Sequence, residues 1–209
     1  MNQIAQFDTK HARTLEDLRR IICMATPGED LTLHETALTA RYGMSRTPIR
    51  QILQRLAYER LVETKSGVGT VVTPLREEQH QRDILVHCGL LEAVLLLDVP
   101  ELTIAQHSDV LALSGIASMV KDGDRDLQYD LRHKLYSVLS SVIPDPILLD
   151  AFSASYWRIV RWHMRDLKID TQNASEAFRT LLKHISDYEP KSTRDLFRRV
   201  IDSEKAAAN

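Results

Sequence analysis

Apolar residues recur with helical spacing along most of the chain. Leu15, Leu18, Ile21 and Ile22 predict a helix over residues 14–25, preceded by a loose tail over 1–9 and ended by Pro27-Gly28. A second helix is expected over residues 33–41, with Glu35 near its start, where the helix dipole favours a carboxylate. Ile49, Ile52, Leu53 and Leu56 then repeat at i, i+3, i+4 and i+7, which makes one apolar stripe. Ahead of that stripe, Gly43 suits a tight turn, Ser45 can cap a new helix through its side-chain oxygen, and Pro48 falls in the first turn, where a missing N–H costs little. The pattern changes next. Residues 60–64 read as a strand, 65–69 as a tight turn with two glycines, and 70–72 as a return strand, closed by Pro74. Beyond a charged connector at 75–79 no further strand is expected. Helical spacing fills 78–97, 101–121, 124–142, 146–167, 173–187 and 192–206, and the breaks fall at Pro100, Gly123, Pro144 with Pro146, Asp170 and Pro190.

Two helices joined by a short glycine turn, the second followed by a hairpin, form a winged helix-turn-helix. The expected fold class is therefore mostly α. A winged helix-turn-helix head over 10–75 is followed by a linker and helix start at 76–82 and an all-helical bundle over 83–206. The polar side of the third helix carries Arg46, Thr47, Arg50, Gln51 and Gln54. Arginine can grip guanine edges or phosphates, and glutamine can pair with adenine, so this face suits the major groove. Thr36, Ser45, Arg46, Thr47, Arg50, Gln51, Lys65 and Gly67 are the candidate DNA contacts. An ordinary solvated helix with a few arginines would not explain turn, cap, proline and hairpin in that order.

Composition narrows the class. The chain has 209 residues, 44% of them hydrophobic and only 6% aromatic, enough for one or two helical cores. Net charge is −2, so the whole chain is not a basic nucleic-acid binder. The positive charge is local: residues 41–65 hold six basic and two acidic residues, whereas 76–209 hold 17 basic and 21 acidic. The two cysteines, Cys23 and Cys88, form no CxxC pair and fit a reducing cytoplasm. No secretory signal or membrane-length apolar run is present; residues 90–99 are too short and contain Glu92 and Asp98.

The run Tyr42-Gly43-Met44-Ser45-Arg46-Thr47-Pro48-Ile49-Arg50, with Leu33, Leu38, Leu53, Leu56, Leu61-Val62, Gly67-Val68-Gly69-Thr70 and Val72, resembles the DNA-binding domain of GntR-type transcription regulators. The resemblance covers roughly residues 10–74 and implies a homodimer on a pseudo-palindromic operator. The helical second domain resembles the FadR-type (FCD) ligand-binding bundle of the same family. Asp145-Pro146-x-Leu148 is similar to the Asn-Pro-x-Leu element that begins a bundle helix there, and the Leu/Ala helix around Glu92 resembles that domain's opening helix.

Many members of that subfamily bind a divalent metal through Asp-x-x-x-His on one helix and two later histidines. A gapless count back from Asp145-Pro146 puts the family's Asp on Arg132 and its His on Tyr136. The later histidines fall near Phe178 or Arg179 and near Val200 or Ile201. None of these is a ligand, so no metal and no other cofactor is expected. Asp130 with His133 in a shifted register, or His163 and His184, could serve only a rearranged site. Arginine brings its own fixed charge and a fork of donors suited to carboxylate or phosphate. Arg132, Tyr136 and Tyr129 are thus candidates for anchoring an organic anion in a positive cavity, with Arg158, Arg161 and His163 as a second polar cluster. The alternative for Arg132 is a plain salt bridge. Trp157 and Trp162 are expected in the core or cavity wall, and Cys88, flanked by His87, stands where relatives often place an arginine.

Three functions follow. The first is a ligand-responsive regulator whose bundle senses a small organic acid and alters the angle or flexibility between head and bundle. The second is a DNA-binding regulator with a purely dimerising bundle. The third, an enzyme, lacks a nucleophile elbow, a phosphate loop, a Cys/His motif and HExxH, and is not expected.

Overall fold

A computed structural model describes residues 2–26, 31–188 and 192–207. The expected stops at Pro27-Gly28 and Pro190 lie outside them. Internal contacts divide the chain into two compact units, residues 1–75 and 76–209.

In the first unit, α1 spans Asn2–Met24, β1 Thr32–Leu33, α2 Glu35–Tyr42, α3 Arg46–Tyr58, β2 Val62–Lys65 and β3 Gly69–Val72. Residues 2–9, expected as a tail, continue α1, because no Pro or Gly interrupts the sequence between Asn2 and Met24. Leu18, Ile22, Leu38, Ile49, Ile52, Leu53 and Leu56 are buried and form one core from the three apolar stripes. Gly43 ends α2 in the left-handed conformation, φ 56° and ψ 43°, and its N–H bonds back to the Thr39 carbonyl. Ser45 does hold the N-cap position of α3, but its side chain makes no capping bond. The first strand of the hairpin starts late. Arg60 takes φ 60° and Thr73 donates its hydroxyl to the Arg60 carbonyl, so pairing begins at Val62 rather than at residue 60. Leu33, expected as helix, instead joins a short strand. The three-stranded antiparallel sheet has the order β1-β3-β2, with Thr32 opposite Val71 and Val62 opposite Val72. At the end of α3, Glu59 is fully buried and is held by Arg19 and Arg55, which supply the donors a buried carboxylate needs.

The second unit opens with a 3-10 turn, Glu77–Gln79, that runs into α4, His80–Val94. The remaining helices are α5 Ile104–Ala117, α6 Arg125–Ser140, α7 Pro146–Ile169, α8 Thr171–Ser186 and α9 Thr193–Ala207; no strand occurs here among the described residues. Side chains start four of them. Thr103 and Gln106 make a reciprocal capping box on α5, while Asp124, Asp145 and Asp170 accept from Leu127 N, Leu148 N and Asn173 N on α6, α7 and α8. Asp145-Pro146-x-Leu148 is therefore a helix start, with Pro146 in the first turn. The long α7 lies against α4, α6 and α8 and buries Phe152, Trp157 and Trp162 completely. Both tryptophans are core residues. No described helix is long and apolar enough to cross a membrane.

Candidate functional site

The first unit presents its chemistry on the surface. The apolar stripe of α3 is buried, so the helix period forces Arg46, Thr47, Arg50 and Gln51 outward, and all four are exposed. Ser45, Thr36, Lys65 and Gly67 are exposed as well. At the tip of the β2–β3 hairpin Gly67 takes φ 75° with no atom within 4 Å of a built Cβ, and Val68 N donates to the Lys65 carbonyl at 3.1 Å. Two of the expected cations have protein partners. Arg50 Nε lies 2.9 Å from both carboxylate oxygens of Glu35 on α2, which raises the arginine's pKa, and Lys65 lies 3.5 Å from Glu63. Arg46 forms no ion pair among the described residues. The Glu35 contact is not legible in the sequence because it joins two helices whose facing sides periodicity alone does not fix.

The second unit places its chemistry inside. A cavity of about 250 Å³ lies between α6, α7, α8 and α9. Its lining includes Arg132, His163, Asp166, Phe178, Leu181 and Glu204, and it opens beside exposed Asp170 and Asn173. Arg132 is 5% exposed, its guanidinium carbon sits 4.2 Å above the Phe178 ring, and its buried Nε has no hydrogen-bond partner among the described residues. Burial lowers its pKa from the usual arginine range, and Glu204, Tyr156 and Asp166 pull it back up. Glu204 is 6% exposed and accepts from His163 Nε2 at 3.2 Å. Burial alone would raise its pKa, but the charge and hydrogen bond of His163, with Arg132 and His87, bring it down to about 2. His87, hydrogen-bonded to Ser155 at 2.8 Å, is pushed down to about 4 by burial.

Of the six ligand candidates, Arg132 and His163 line this cavity, and Tyr129, Tyr136, Arg158 and the buried Arg161 do not. Tyr136 turns away: its hydroxyl meets Ser153 Oγ at 2.9 Å, and its ring lies among Phe152, Tyr156 and Trp157. Tyr129 is buried against Trp157. Arg158 is drawn to buried Asp83, at 2.5 Å, and the Trp162 indole donates to the same carboxylate at 3.0 Å. The one-turn spacing that joined Arg132 to Tyr136 ignored the neighbouring α7, whose serine and aromatic side chains claim the tyrosine. The expected positive cavity is also corrected, because Glu204, Asp166 and Asp170 share the lining with Arg132. Glu204 had a visible signal: it continues the apolar stripe Phe197, Val200, Ile201 of α9, where a lone carboxylate needs a partner. Among the described residues no group of three His, Cys, Asp or Glu side chains could hold a metal ion; His184 instead contacts Ser203 at 3.0 Å, and His133 lies obliquely against Trp157.

Residues 15–72 match the family described as bacterial regulatory proteins, gntR family. They span most of α1, both helices of the turn and the hairpin. The chain carries a GntR-family DNA-binding domain. Among solved structures, Escherichia coli McbR/YncC is 16% identical, with a TM-score of 0.55, and the match covers 95% of this chain and 96% of that one. A putative transcriptional regulator GntR from Rhodococcus sp. RHA1 is 15% identical with the same TM-score of 0.55, covering 96% and 97%. At such identities they share the fold with this chain, over both units. No curated protein matches the sequence.

Proposed function

We propose that the whole chain is a GntR-type transcription regulator, that it binds its operator through Arg46, Arg50 and Gln51 on α3, with Thr36, Ser45, Thr47, Lys65 and Gly67 positioning the backbone, and that its FadR-type bundle senses a small organic acid. The observation that carries the ligand reading is Arg132. A buried guanidinium without an ion pair is costly, and a cavity beside it gives an anionic group room to relieve that cost. The resemblance adds support: by the gapless count Arg132 and Phe178 stand at or next to positions where relatives hold their metal, and here they stack on one another. Ligand occupancy then changes operator affinity through the linkage between the two sites.

The protein works as a homodimer in this proposal, with one recognition helix per half-site. The outer face of α4 suits a second copy, since Leu85 and Val86 are each 54% exposed and Leu96 beyond it 86%. That face also favours the second reading, a bundle that only dimerises. A thermal-shift series with small carboxylates separates the two. Stabilisation that disappears in Arg132→Ala supports the sensor. No stabilisation by any acid, together with a dimer in sedimentation, supports the dimerising bundle.

A further inference from the structure

The cavity holds two opposite buried charges that do not meet. Arg132 stacks on Phe178 and makes no ion pair among the described residues, while Glu204 is engaged by His163. Both side chains line the same 250 Å³ space, and each is more than nine-tenths buried. Around them the lining carries three carboxylates, Asp166, Asp170 and Glu204, against one guanidinium and one imidazole. Even a protonated His163 leaves the lining negative overall. A dicarboxylate or phosphate would satisfy Arg132 and then face this excess of like charge. A simple monocarboxylate would leave the ionised Glu204 with no new partner. A molecule with a carboxylate at one end and an ammonium at the other satisfies both, and the apolar wall of Phe178, Leu181, Ala174 and Ala177 takes its side chain.

We infer that the effector of this cavity is a small zwitterion, a free α-amino acid or a close analogue, with its carboxylate on Arg132 and its ammonium on Glu204. The inference rests on the sensor reading above and narrows it. Asp166 and Asp170 add to the negative field near the mouth, and Asp170 is already committed to capping α8 through Asn173. The carboxylate and the ammonium each form a charge-assisted bond with a side chain that is more than nine-tenths buried, so removing either group weakens binding by about tenfold or more.

The test uses the full chain in thermal-shift and titration measurements at neutral pH. The twenty protein amino acids are compared with the carboxylic acids and the amines that carry the same side chains. The expected result is that at least one amino acid raises the melting temperature, and that its des-amino acid and its amine bind about tenfold more weakly or worse. Glu204→Gln should erase the preference for the amino acid over the des-amino acid. If that variant does not fold, Asp166→Asn should reduce the preference, and the wild-type comparison stands by itself. Des-amino acids that bind as well as amino acids overturn the zwitterion and leave the Arg132 sensor standing. Failure of all three classes to shift the melting temperature overturns both.

Discussion

Arg46 and Arg132 are the same side chain in opposite settings. Arg46 stands on the outer face of α3 in water, while Arg132 stands inside the bundle over Phe178. Water solvates the first at no cost to folding, which leaves it accessible for the operator contact proposed above. The second is ordered without an ion pair among the described residues, and its setting must be stabilised by the rest of the bundle. The contrast extends to neighbouring charges. The ion pairs around α3, such as Arg50 with Glu35, are exposed and open to salt screening. Those of the bundle interior, His163 with Glu204 and Arg158 with Asp83, are largely shielded. Salt should therefore act mainly on the head's function, and pH on the bundle's stability.

The largest expected effect is on pH. His87 keeps a pKa of about 4 when folded, below the 6.5 of a free histidine. Between these values the unfolded chain takes up a proton that the folded chain refuses, so stability is lost as pH falls from about 6.5 to about 4. The loss is about 3 kcal/mol. Glu204 acts in a lower window: its folded pKa of about 2 lies below the usual 4.5, so its contribution is present above 4.5 and disappears as pH falls towards 2. Urea unfolding across pH should show both, and His87→Gln should flatten only the upper window. A wild-type curve that is flat between pH 4 and 6.5 would break the comparison from the bundle side.

Next comes operator binding. Arg46→Ala should cost about 1–3 kcal/mol of specific affinity and lower the salt slope by about one, read by gel-shift titration at several salt concentrations. Equal affinity for wild type and variant would remove α3 as the reading helix. Arg50→Ala should lose less, because Arg50 must first leave Glu35.

A smaller effect tests the placement of Tyr136. Tyr136→Phe removes a hydrogen bond to Ser153 and should lower stability by about 0.5–1.5 kcal/mol while leaving any ligand response intact. A lost ligand response would return Tyr136 to the cavity. The smallest expected change is a gain. Glu35→Gln releases Arg50 and should tighten operator binding a few-fold at low salt, fading as salt rises.

The local pattern of the sequence was enough for the elements and for the head's exposed face. Six bundle segments, the glycine turn, the proline at the start of α3 and the hairpin can all be read from period and breakers, because helix and turn chemistry act over a few residues. Once Ile49, Ile52, Leu53 and Leu56 are buried, the outward direction of Arg46 and Arg50 follows from helix geometry. The strand at Thr32–Leu33 could not be read that way, since it exists only through pairing with residues near 70. The cavity was only half legible. Arg132 could be singled out by counting back from Asp145-Pro146 to the position where relatives place a metal ligand, but its partners lie on three other helices, at sequence distances that no period links. Tertiary packing decided that Phe178 lies under the guanidinium, that Glu204 faces the same space, and that Tyr136 and Arg158 are held elsewhere. The sign and shape of a buried site depend on which helix faces meet, and only the folded bundle fixes that.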